Sequence, residues 1–163
     1  MPLYVKDEGG GAVFDPAPEG LHRAVCVDVL DLGLQPSPWG EKHKVRIVWE
    51  VEAENSDGQR FQVRQTYNLS LNEKATLSEH LEAWRGKKYT TEERTEGIDL
   101  DLLVGQNCQL QIIHRESQDK KRTYANIQAM IVPAKGVEPL VPRDYEANPK
   151  EQQGGGSADD SPF

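Results

Sequence analysis

The chain has 163 residues, 36% hydrophobic and 28% charged, a balance that suits one core and leaves too little apolar material for two. No apolar run is long enough to cross a bilayer, and the opening Met1-Pro-Leu-Tyr-Val-Lys-Asp-Glu8 lacks a secretory pattern, so a soluble cytoplasmic protein is expected. The net charge is −8; residues 136–163 hold two basic and six acidic residues, and residues 1–135 hold 17 and 21, so any cationic surface must be a local stripe.

Cys26 and Cys108 sit in strand-like apolar segments with no second ligand at metal spacing, which reads as two buried thiols. The four histidines are scattered singly, and nothing pairs them with a nucleophile. Neither an enzyme nor a cofactor or metal is expected.

Residues 1–20 carry a Gly9-Gly-Gly11 run and Pro16-Ala-Pro18 and read as an irregular lead-in with at most a short strand at 12–14. From 21 to 30, Val25, Val27 and Val29 alternate with Cys26 and Asp28, the period of a strand with one buried face, and the turn-rich segment 33–40 ends it. Over 43–54, Val45, Ile47, Trp49, Val51 and Ala53 share one face, while Lys44, Arg46, Val48, Glu50 and Glu52 share the other. Asp57-Gly58 marks a hairpin turn. Beyond it Phe61, Val63, Gln65, Tyr67 and Leu69 continue the inner face, and Gln62, Arg64, Thr66 and Asn68 the outer, polar and basic one. Leu77, Leu81 and Trp84 recur at helical spacing, with Asn72 a candidate N-cap and Gly86 a stop. A polar loop, a short helical turn at 98–104, and two strands at 108–114 and 122–132 follow, the strands joined by the charged hairpin 116–121.

The expectation is therefore an all-β domain with one helix over 21–135. Its order of three strands, a helix and two strands matches the five-stranded Greek-key barrel of the oligonucleotide-binding (OB) fold. Residues 136–163 are punctuated by prolines and a Gly-Gly-Gly-Ser stretch and read as a flexible tail.

The chain ends Ser157-Ala-Asp-Asp-Ser-Pro-Phe163, and an aromatic last residue behind two aspartates fits a docking motif: the ring fills a pocket and the carboxylate pairs with a cation. This ending resembles that of bacterial and phage single-stranded DNA-binding proteins, which close a Gly-rich linker and an acidic stretch with Pro-Phe. The segment from Tyr67-Asn-Leu-Ser-Leu71 to Tyr124-Ala-Asn-Ile127 is similar to small phage replication proteins, which points to a phage-encoded or phage-like member. The resemblance implies that Asp159, Asp160, Pro162 and Phe163 bind replication or repair proteins. Ser161 stands where the family more often has an apolar residue, and the acidic run is shorter.

A single strand needs a cationic groove for phosphates and exposed rings on which bases stack. Lys44, Arg46 and Arg64, with Lys42 and His43 at the edge, supply the stripe. Trp39, in the Pro-Ser-Pro-Trp-Gly loop where little core exists to bury it, and Tyr124, outward on the last strand, supply rings; Tyr67 and Tyr89 are weaker candidates. Trp49 and Trp84 read as core. The rival reading, favoured by the acidic body, is a protein-interaction adaptor that holds no nucleic acid; a homo-oligomer fits either.

Overall fold

The computed structural model describes residues 16–145. The elements are β1 (Gly20–Gln35), β2 (Lys42–Glu54), β3 (Arg60–Asn68), α1 (Thr76–Arg85), α2 (Thr91–Glu96), a 3-10 turn (Leu100–Leu103), β4 (Asn107–Glu116) and β5 (Thr123–Ile131). The strands form one antiparallel sheet in the order β3-β2-β1-β4-β5. The first half of β1 pairs with β4 and most of its length with β2, so this one strand joins the two halves of the sheet. Among the described residues no helix is long and apolar enough to cross a membrane.

The inner face carries the core. Val45, Ile47, Trp49 and Val51 of β2, Val63 and Tyr67 of β3, and Cys108, Leu110 and Ile112 of β4 meet Leu77, Leu81 and Trp84 of α1. Trp49 and Trp84 touch with ring centroids 5.8 Å apart, and the Trp84 indole N–H donates to the Asn107 carbonyl at 2.8 Å, so both are structural. Gly86 ends α1 at φ 83°; a Cβ there would lie 3.0 Å from Val132 Cγ1, so conformation and space both call for glycine. Cys26 and Cys108 are buried free thiols, and burial raises the pKa of both.

Four expectations need correction. First, β1 continues through Gly33 to Gln35, and irregularities between Cys26 and Asp28 and between Asp31 and Gly33 break its alternation. Val25 and Val27 thereby face away from the main core, while Val29 packs against it. Second, the described residues hold two α-helices, not one: Thr90 and Glu93 form a reciprocal capping box that starts α2 where a loop was expected. Third, the N-cap of α1 is Ala75, with no side-chain bond; Asn72 instead accepts from the Lys74 N–H and closes the preceding turn.

The fourth concerns the domain boundary at 135. Residues 136–145 form a strap across the outer face of β1 and β2, with Leu140 buried against Val25, Val27 and Val48 and Tyr145 beside them. Three apolar side chains on the outer face give the strap an apolar seat, which composition alone does not reveal. The ordered unit thus reaches at least Tyr145. The expected strand at 12–14 and the tail residues Asp159, Asp160, Pro162 and Phe163 lie outside the described residues.

Candidate nucleic-acid interface

The register of β2 on β3 fixes the outer face. Lys44 lies opposite Asn68, Arg46 opposite Thr66, Val48 opposite Arg64 and Glu50 opposite Gln62. Since paired residues point to the same side, Lys44, Arg46 and Arg64 share one surface, as the alternation predicts. The Arg46 Nε donates to the Thr66 hydroxyl at 3.2 Å, and an Arg64 Nη donates to the Gln62 amide oxygen at 2.9 Å.

The strap divides this surface. Glu50 is fully buried under it: its carboxylate accepts the backbone N–H of Arg143 at 3.0 Å, of Asp144 at 3.1 Å and of Tyr145 at 2.9 Å, and an Arg60 Nη at 3.3 Å. The Tyr145 hydroxyl closes the other end on Asp28. Three successive N–H groups converging on one carboxylate make a nest for its charge. The strap therefore covers Val48 and Glu50 of the outer face expected to be polar and basic, and leaves open the part that carries Lys44, Arg46 and Arg64.

Beyond the open part, the β1–β2 hairpin carries Trp39 at its tip, 84% exposed, the Ser37 hydroxyl accepting its backbone N–H at 3.3 Å. Lys42 is exposed opposite Gln35 at the base of that hairpin. His43 is turned to Asp31, Nε2 to Oδ1 at 2.6 Å, and this hydrogen bond holds the Asp31 carboxyl below its usual range.

Tyr124 is 47% exposed and lies opposite Arg115 on β5, while its neighbour Ala125 packs on the core, so the ring faces outward. The two sheet edges approach each other here: Arg60, Phe61 and Arg64 of β3 and Tyr124 and Asn126 of β5 line one open groove of about 520 Å³. The fold thus brings Arg64 and Tyr124, 60 residues apart in sequence, to a single groove. Tyr67 and Tyr89 are not available to a base: Tyr67 is buried with its hydroxyl 2.6 Å from His80 Nδ1, and Tyr89 is buried beside the Arg85 guanidinium at 4.1 Å.

One group escaped the sequence reading. The β4–β5 hairpin bears Lys120, Lys121 and Arg122 in succession, all exposed, with Lys120 held at φ 61°. These cations immediately precede the strand that carries Tyr124, and three consecutive basic residues in a turn were the available signal. No group of carboxylates, histidines and thiols able to hold a metal occurs among the described residues. No protein-family model matches the chain, and no curated protein aligns with it significantly.

Proposed function

We propose that this protein binds single-stranded DNA with little regard to sequence, on an oligonucleotide-binding barrel, and that its acidic ending recruits replication or repair proteins. The observation that carries the reading is the open cationic part of the β2–β3 face, Lys44, Arg46 and Arg64, next to outward rings at Trp39 and Tyr124. This pairing of phosphate-tracking charge with stacking platforms suits single strands, whose bases are unpaired and offer their faces. The strand order, the α1 plug between β3 and β4, and the approach of β3 to β5 support the barrel assignment. The β1–β2 and β4–β5 hairpins would flank the strand.

Titration of a fluorescein-labelled oligothymidylate, followed by anisotropy at low and at moderate salt, tests the reading. Binding should be tight at low salt, weaken as salt is added, and exceed that of a duplex of equal length. Absence of binding, or equal affinity for duplex, would sink it and leave the adaptor reading, which the net charge of −8 favours. The tail role is tested separately by deleting Phe163, which should abolish capture of a cognate replication protein and leave oligonucleotide affinity unchanged; equal capture would refute it.

A further inference from the structure

A second concavity, of about 680 Å³, shares no lining residue with the cationic groove. One wall is the far part of β1, with Leu30 and Leu32; the opposite wall is the turn at Ile98 and Leu100; and Leu69, 44% exposed just past β3, stands beside them. The volume falls in the usual range for ligand sites, about 300–1,000 Å³, and an exposed leucine at an apolar cleft marks surface that gains from being covered.

The charged groups lining it are all acidic: Asp31, Asp99 and Asp101. Asp31 holds His43, and Asp99 accepts the backbone N–H of Asp101 at 3.0 Å to cap the 3-10 turn. Burial, then Asp99, then Asp28 raise the pKa of the Asp101 carboxyl. A phosphate chain would be repelled from this site. The donor set does not converge as a metal centre would among the described residues, so a suitable cation must arrive on a side chain.

We propose that this cleft docks a peptide segment of a partner protein in which Lys or Arg alternates with apolar residues. The apolar side chains enter between Leu69 and Leu100, and the cations meet Asp99 and Asp101. The inference is independent of strand binding and of the tail, since it uses neither set of residues.

The test is a titration of the ¹⁵N-labelled full chain with acetyl-Ala-Leu-Arg-Leu-Lys-Val-amide and with its counterpart carrying Glu for Arg and Lys. The cationic peptide should shift the amides of Leu69, Ile98, Leu100 and Asp101 saturably, and the acidic one should not. The double substitution Asp99→Asn with Asp101→Asn keeps a side-chain oxygen at the first position to cap the turn, and it should weaken binding about five- to thirty-fold. Should that variant lose its dispersed spectrum, Leu69→Arg, at an exposed position, places a cation at the mouth and should weaken binding likewise. No saturable shift at the cleft, equal binding of the acidic peptide, or undiminished binding by the folded variants overturns the proposal.

Discussion

Replacing Glu50 by Gln isolates the latch of the strap, because the side chain keeps its volume and loses only its charge and one acceptor. In the native protein the two carboxylate oxygens receive three backbone N–H groups and one Nη of Arg60, a residue whose side chain is 12% exposed. The Gln amide nitrogen must face at least one of those donors, and Arg60 loses its buried counter-charge. Removing one partner of a buried ion pair costs about 3–5 kcal/mol, and Arg60 retains the Val141 carbonyl at 2.7 Å, so the lower part of that range, about 3 kcal/mol, is expected. That is a large share of the roughly 5–15 kcal/mol by which domains are stable. Urea unfolding would show it as a midpoint lower by roughly 1–3 M at an ordinary slope. A cycle with Arg60→Met should return strong coupling, the double variant being less damaged than the two singles together. A loss under about 0.5 kcal/mol in Glu50→Gln, or additivity in the cycle, would refute the assignment of Glu50 as the latch.

Trp39→Ala should lower oligonucleotide affinity by about 1–3 kcal/mol and remove most strand-induced fluorescence quenching, since Trp49 and Trp84 are buried; persistent quenching would move the stacking site elsewhere. Arg46→Ala with Arg64→Ala should reduce the slope of log affinity against log salt by about 1.4, two phosphates at roughly 0.7 each, and an unchanged slope would exclude these arginines from the phosphate path. Burial, outweighing the attraction of Glu79, holds the pKa of His80 below 6.5. The unfolded chain therefore takes up the proton first as pH falls through 6.5, so this contribution is present above that pH and declines below it. His80→Gln should lose less stability than the parent between pH 7.5 and pH 5.5 in urea unfolding, and equal losses would contradict this role.

What the sequence conveys depends on how far each feature's cause extends along the chain. The β2 strand is legible because Val45, Ile47, Trp49 and Val51 alternate without interruption, and α1 because Leu77, Leu81 and Trp84 keep one face. In β1 an irregularity near Val27 resets the parity, and a run of five buried residues from Ala24 to Asp28 hides the break. The α2 helix buries nothing, so its only signal is the Thr90–Glu93 spacing of its capping box. The prolines of the strap suggest loose chain. Its anchor is Glu50, 93 residues before Arg143, and no local pattern links the two. The stripe and Trp39 are visible because each rests on strand parity or turn chemistry; the groove shared by Arg64 and Tyr124 is not, because it exists only when the sheet edges meet.

An acidic chain can still offer a cationic surface because of how β2 sorts its outward charges. Along that face the order is Lys42, Lys44, Arg46, then Val48, then Glu50, Glu52, Glu54. Each of the three glutamates has a cationic partner: Glu50 has Arg60 and the strap, Glu52 has Arg23 at 3.2 Å, and Glu54 has Arg143 at 2.8 Å. Arg46 and Glu50 are four residues apart on an extended strand, about 13 Å, which exceeds the screening length of about 8 Å at physiological salt. The acidic end therefore exerts little field on the basic end, and the net charge of −8 is a poor guide to the potential over Lys44 and Arg46. The strap adds a geometric constraint to this electrostatic one. By covering Val48 and Glu50 it removes the middle of the face from any ligand, and Glu52 and Glu54, which stay exposed, are each held by an arginine, so the cations that face a polyanion on β2 lie at its Lys42–Arg46 end.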